Sequence, residues 1–295
     1  MRRYALPSFV SCLMLRIQGA PMVVTIRTAA VILALAVPSF SARLSAPASR
    51  DFETYAASVE KRLAQQHASP ATYLASLNSG ATSTAELERQ LRAGELHMEP
   101  VNGGTRSADG ALVHHWRGAA FVPGGRAAEM LALLRDYNRL STYYSPEVQS
   151  SRLIAERGGA STVVMRFKKL VVVPIVLDTE YEVRNGLGRD GAGYSVSRST
   201  HIWEVENPGS AKERRMTEGD DDGFLWRLNT YWSFIEVPGG LLIECEAISL
   251  TRDVPAGLGW LVTPVIQDMP RDSLKFTLTA TRNALGTTGV KEAHR

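Results

Sequence analysis

Two hydrophobic rhythms divide this chain of 295 residues. After residue 46 the apolar positions follow helical spacing; from Gly110 they alternate, and near the C-terminus the helical spacing returns. "ASRDFETYAASVEKRLAQQHASPATYLASLN" and "TSTAELERQLRAGE" are alanine-rich and predict helices. Ser69-Pro70 is expected to open a second helix, because proline is tolerated in a first turn. Ser83 or Thr84 caps a third, ending at Gly94. Leu87 and Leu91 form a stripe too narrow to stand alone, so residues 47–105 read as a helical appendage and linker that needs a larger body. "NGGTRSADG" is expected to be a loop before the main domain, residues 106–286.

Within that domain "ALVHHWRGAAFVP" predicts a strand and "GGRAAEMLALLRDYNRL" a helix whose face carries Met130, Leu133, Leu134 and Tyr137. "YYSPEVQSSRLIAERG" gives a turn and a short strand. "TVVMRFKKLVVVPIVLDTEYEVRN" supplies two strands joined near Pro174, and "YSVSRSTHIWEVE" another. "NPGSAKERRMTEGDDDG" reads as a solvated hairpin loop, and "VPAGLGWLVTPVIQ" as a crossing segment. The final helix is expected from an Asp268 cap, with Pro270 in its first turn, to a stop at Gly286; Leu274, Leu278, Thr281 and Leu285 form its inner stripe, and 287–295 is a tail. The fold class is α+β: a curved antiparallel sheet of about seven strands gripping a long C-terminal helix. A sheet of that length curls, and one helix does not fill its concavity, which leaves room for a small apolar ligand.

The hairpin "GFLWRLNTYWSFIEVPGGLLIECEAISLTRD" carries the candidate chemistry. An even-numbered turn at "PG" or "VPGG" sets Trp232 opposite Cys245, Tyr231 opposite Glu246, Ser233 opposite Glu244 and Arg227 opposite Leu250. One face then holds Trp226, Leu228, Thr230, Trp232, Phe234, Ile243, Cys245 and Ala247. The other holds Arg227, Asn229, Tyr231, Glu244 and Glu246 between apolar ends. Two arrangements remain open. The aromatic face packs under the final helix and the polar face meets water, or the polar face floors a pocket with Arg227 and Arg166 paired to its carboxylates. In the second case the aromatic face rests beneath the N-terminal helices. The ligand-binding candidates are Arg166, Arg227, Asn229, Tyr231, Glu244 and Glu246.

Composition changes the picture at the N-terminus. "TIRTAAVILALAVPSFSARLSA" has the order of a secretory signal: a basic residue, an apolar run, then small residues. The run is shorter than the ~20 residues a spanning helix needs. Residues 1–46 read as a leader, with Met22 an alternative start and Arg2-Arg3 a basic n-region. The destination is export, periplasmic or extracellular. The net charge of +3 includes five arginines of that leader, and without them the chain carries −2. A nucleic-acid partner has no support from charge. Cys12 lies in the leader, so Cys245 is alone in the mature chain, and it reads as a buried small hydrophobe. His114, His115 and His201 lack companions at metal-ligand spacing, and His114 and His115 point to opposite faces of a strand. "EGDDDG" lacks the spacing of a calcium loop, and "GLGWL" lacks the features of a phosphate loop.

The strand order, with "TRDVPAGLGWLV" leading into the last helix, resembles the START-like or helix-grip superfamily, also called the SRPBCC or polyketide-cyclase-like group, over residues 110–286. "HHWRGAAFVPG", "GFLWRLNTYW" and "ECEAISLTRDVP" are similar to an exported bacterial branch of unassigned function. The resemblance implies a hydrophobic pocket for lipids, sterols, polyketides or similar molecules, and carries no shared catalytic motif. Binding of a hydrophobic small molecule or lipid, without cofactor or metal and with transient membrane contact, is the leading expectation. A cyclase or hydrolase using Glu244 or Glu246 as base, aided by Tyr231 or Arg227, is the second. A non-catalytic interaction module with a filled cavity is the third.

Overall fold

The structure, a computed structural model, describes residues 43–80, 83–170, 174–188, 190–217, 219–253 and 259–292; in the last segment it describes side chains only for 268–286. The leader with Cys12, residues 171–173 and the first part of the crossing segment lie outside the described residues.

Helix α1 runs Ala46–Gln66, capped by Ser45, whose hydroxyl accepts the Ala48 N–H at 3.1 Å. Its buried positions, Ala48, Phe52, Ala56, Val59 and Leu63, recur at three and four residues. The helix expected after Ser69-Pro70 is instead a pair of 3-10 turns, Pro70–Thr72 and Ser76–Asn78. The reason lies outside the segment. The Glu244 carboxylate takes the N–H groups of Ala75 (3.0 Å) and Ser76 (2.7 Å), which a helix would have donated to its own carbonyls. Helix α2, Thr84–Arg92, has the expected Ser83 cap and ends before Gly94, which takes the left-handed φ of 92°.

The sheet begins earlier than the pattern predicts. Strand β1, His97–Ala108, contains most of "NGGTRSADG". Asn102, Gly103 and Gly104 adopt positive φ and form a bulge between Pro100 and Thr105, so a loop-like composition is carried inside an edge strand. Strand β2 (Ala111–Pro123), helix α3 (Ala127–Arg135), the single-turn helix α4 (Leu140–Tyr143), β3 (Val148–Arg157), β4 (Ala160–Leu170), β5 (Pro174–Leu187) and β6 (Ala192–Glu206) follow. The two-residue β7 (Arg214–Arg215) pairs with β6 inside the expected solvated loop. Strands β8 (Arg227–Val237) and β9 (Gly240–Arg252) form the hairpin, and helix α5 (Gly259–Glu292) closes the chain.

The antiparallel sheet has nine strands, in the order β1-β2-β9-β8-β6-β5-β4-β3 with β7 beside β6. It is two more than expected, the additions being the bulged β1 and the minimal β7. Helix α5 is longer than expected at both ends. It includes Pro264, Pro270 and Gly286, so neither Asp268 nor Gly286 marks a boundary. An interior proline costs about 3 kcal/mol and a glycine about 1 kcal/mol relative to alanine. The buried stripe of Leu274, Leu278, Thr281 and Leu285 offsets such penalties by packing.

The curved sheet lies between two layers. Its inner face carries α5: Leu274, Leu278 and Leu285 pack on Ala120, Val122, Trp232, Phe234, Leu241, Ile243 and Cys245. Its outer face carries the N-terminal segment: α1 packs on Ala108, Ala111, Val113, Trp226, Ile248 and Leu250, and the turns with α2 pack on Ala119, Phe121 and Leu242.

Candidate functional site: the two faces of the hairpin

The turn between β8 and β9 is the two-residue Pro238-Gly239, so the register is the expected one: Trp232 faces Cys245, Tyr231 faces Glu246, Ser233 faces Glu244 and Arg227 faces Leu250. Of the aromatic face, Trp232, Phe234, Ile243 and Cys245 are under α5, whereas Trp226, expected with them, packs against α1 on the outer side. The polar face is neither wet nor turned toward α5: it is covered by the N-terminal segment on the outer side. Glu244 and Glu246 are each 1 % exposed, and the Tyr231 hydroxyl donates to Glu60 of α1 at 3.1 Å. The floor expected for a cavity beneath the C-terminal helix is therefore a seam between the sheet and α1. An antiparallel sheet with both faces buried can hide either set, and the sequence period does not say which layer covers which.

The seam is an ionic cluster. Glu246 accepts from His115 Nε2 at 2.6 Å, from Arg117 Nε at 2.8 Å and from Arg62 of α1. Arg117 also donates to Glu99 at 2.9 Å, and the Tyr55 hydroxyl of α1 meets His115 Nδ1 at 2.7 Å. Burial alone would raise the Glu246 carboxyl, but the His115 hydrogen bond and the charges of Arg117, His115 and Arg62 bring it down to about 2. Glu244 is pushed up by burial, against the pull of Arg117 and the hydrogen bonds from Ser76. A carboxylate held ionised by two arginines and the His115 hydrogen bond is a poor proton acceptor near neutrality, so Glu246 has the chemistry of an anchor.

The remaining candidates are scattered. Asn229 donates to the Tyr231 hydroxyl at 3.1 Å within the seam. Arg227 donates to the Trp226 carbonyl and, with Arg43 and Arg50, lines an open depression of about 740 Å³ at the start of α1. Arg166 is remote from the hairpin: it grips Asp178 at 2.7 Å and Glu213 at 2.9 Å, pinning the loop before β7 to the outer face.

The inner face has a different chemistry. Toward the β8–β9 turn it is filled by α5. Toward the opposite end, Trp116, Met165, Phe167, Ser197, Ser199, Ile202, Leu228, Thr230 and Ala247 stay only half-buried. Pairing carries two neighbouring rows across the sheet: Val183, Ser197, Thr230, Ala247 and Trp116 in one, and Val163, Tyr181 and Ser199 in the next. Small side chains occupy the middle, with Trp116 toward one edge and Tyr181 toward the other, which is the shape of a trough. His114 stands at its margin, bound to Thr105 (3.0 Å) and Thr251 (3.1 Å), with its pKa lowered to about 4 by burial. Both rows are uncharged, so no candidate chemistry marks them in the sequence. The alternation "SVSRS", with serine at 195, 197 and 199, was the available signal.

No protein-family model matches the sequence, and no curated protein matches it. Among solved structures, a STAR-related lipid transfer protein from Xanthomonas axonopodis is 18 % identical, with 62 % of this chain and 98 % of that one covered at a TM-score of 0.40. The Zhui aromatase/cyclase from Streptomyces sp. R1128 is 10 % identical, with 59 % and 93 % covered and a TM-score of 0.37. Human STARD10 is 12 % identical, with 67 % and 78 % covered and a TM-score of 0.39. The chain's own topology is an antiparallel sheet wrapped on its C-terminal helix, the helix-grip arrangement expected from the sequence.

Proposed function

We propose that this protein is an exported binding protein that holds a hydrophobic small molecule or lipid on the inner face of its sheet, beside α5. The observation that carries the reading is the contrast along that face. Leu274, Leu278 and Leu285 fill one part to 3 % exposure or less, while apolar residues such as Phe167, Leu228 and Trp116 stay half-buried in the other. Apolar area left partly open costs about 25 cal/mol per Å² relative to burial, so a ligand that covers it gains that amount. The reading calls for no cofactor. Transient contact with a membrane surface, as the source of the ligand, is supported by Leu170 (75 % exposed) and Phe224 (44 % exposed). Export is supported by the charge and hydropathy order of residues 1–46.

Native mass spectrometry of the protein purified from its own source is the direct test, with bound small-molecule mass as the expected result. Absence of such mass, together with no uptake by delipidated protein from mixed lipid vesicles, overturns the reading. N-terminal sequencing of the mature protein tests export, with cleavage expected between Ser39 and Ala48.

A further inference from the structure

We propose that the inner-face trough selects an uncharged, oxygen-bearing apolar molecule and rejects ligands that bring a carboxylate or phosphate into it. This inference rests on the binding reading above and narrows its ligand class.

The sheet sorts charge by face. On β4, β5, β6 and β8 the residues Arg166, Lys168, Asp178, Glu180, Glu182, Arg184, Arg198 and Asn229 register with one another on the outer side. The inner positions of the same strands are Val163, Met165, Phe167, Thr179, Tyr181, Val183, Ser195, Ser197, Ser199, Leu228 and Thr230. On the inner face of β2, β4, β5, β6, β8 and β9, the described side chains with an ordinary claim to charge are His114, Lys169, Glu204, Glu206 and Glu236; Glu206 is paired with Arg214, and Glu236 accepts from Arg126 and from the Ala127 N–H at 2.9 Å. None is free to meet a ligand's charge. His114 is held neutral between two threonines. Lys169 is paired with Glu147 at the rim. Glu204 is occupied by the N–H groups of Asp222 (2.9 Å) and Phe224 (2.7 Å). A carboxylate or phosphate placed in the trough would lose its hydration with no cation to replace it, and that is costly.

What the trough does offer is neutral hydrogen bonding. Tyr181, 2 % exposed, has its phenolic oxygen buried with no hydrogen-bond partner, while the hydroxyl of Thr179 donates to the Met165 carbonyl. The indole N–H of Trp116, in the neighbouring row on the far side of the trough, is also buried without a partner. A buried donor left unpaired is uncommon in a folded protein, and a ligand oxygen that accepts from it recovers the loss. Between these two lie the hydroxyls of Ser197, Ser199 and Thr230. Carbonyl and hydroxyl oxygens on an apolar frame match this lining.

The experiment uses delipidated full-length mature protein at pH 8 and a matched pair of probes, 1-dodecanol and dodecanoate, which share a chain and differ in charge. Intrinsic tryptophan fluorescence and native mass spectrometry report binding. Dodecanol is expected to bind at least about tenfold more tightly, since a tenfold ratio is the least that a lost charge–solvent interaction implies. Equal binding, or tighter binding of dodecanoate, overturns the selectivity while leaving the binding reading intact. Failure of both probes and of a mixed neutral-lipid extract overturns both. Tyr181→Phe is expected to weaken dodecanol severalfold while leaving the melting temperature unchanged or higher, because the removed hydroxyl has no partner in the free protein. Unchanged dodecanol affinity in a folded Tyr181→Phe variant removes Tyr181 from the contact.

Discussion

Glu246 is the most heavily partnered carboxylate in the molecule's described part, and replacing it isolates the anchor's contribution. Glu246→Gln keeps the volume but leaves His115, Arg117 and Arg62 around a neutral amide, and breaking a buried charge cluster in this way costs about 3–5 kcal/mol. Urea unfolding at pH 7 is expected to show that loss. The pH dependence has a definite sign. The folded pKa, about 2, lies below the ordinary 4.5, so the stabilisation is complete above pH 4.5 and fades as pH falls toward 2. The gap between wild type and Glu246→Gln therefore narrows across that window. His67 acts earlier on the way down. Burial first, then the charge of Arg62, lower it from 6.5 to about 4, so the neutral form is the folded one. Stability from this residue is complete above pH 6.5 and is lost as pH falls to 4. A His67→Gln variant is expected to unfold with a flatter pH profile between those values.

Among the elements, α5 and the N-terminal segment make opposite claims on the sheet. The α5 contact is tight at Gly118: a β-carbon there would stand 2.5 Å from Leu278 and 2.6 Å from Met98. Gly118→Ala is expected to destabilise by about 1–3 kcal/mol through overpacking, and Leu278→Ala by about 2–5 kcal/mol through a cavity, both read by chemical denaturation. The N-terminal segment, read as an appendage from its narrow stripes, is an integral layer. Removing residues 43–80 would expose Trp226, Ile248 and Leu250 and strip Glu244 of its three Ser76 and Ala75 donors. Such a truncation is expected to lose its cooperative unfolding transition. The body on which this segment rests is not legible from its own sequence: α1 has an ordinary amphipathic stripe, but its polar flank carries Tyr55, Glu60 and Arg62, whose partners in the sheet lie 47 to 184 residues away in the chain. Local periodicity does not contain those pairings. The bulge in β1 was hidden similarly, since Asn102, Gly103 and Gly104 have turn composition, while the strand continues through the pairs Pro100–Trp116 and Thr105–His114 on either side, and Asn102 donates to the Tyr55 hydroxyl of α1 at 3.1 Å.

For the whole molecule, the outer face of the sheet is covered by the N-terminal segment, and the inner face is covered by α5 at one end and carries half-buried apolar residues at the other. A ligand that binds only the folded state stabilises it by about 2.7 kcal/mol at a hundredfold excess over Kd and so raises the melting temperature with concentration. Delipidated protein is therefore expected to melt lower than protein loaded with a neutral apolar ligand, and calorimetry across a ligand series reads the difference. The same titration on Glu246→Gln is expected to give an unchanged affinity on a less stable protein, because Glu246 lies across the sheet from the trough.

Alternation along the strands, the two-residue Pro238-Gly239 turn and the spacing of Leu274, Leu278 and Leu285 determined the fold class, the hairpin register and the face of the closing helix, because each is set by local geometry and side-chain period. Which layer covers the polar face of the hairpin was decided only in the folded chain. Glu244 and Glu246 are stable in the interior because Ala75, Ser76 and Arg62 come from a distant segment to meet them. A buried carboxylate is governed by its partners, and those partners share no period with it.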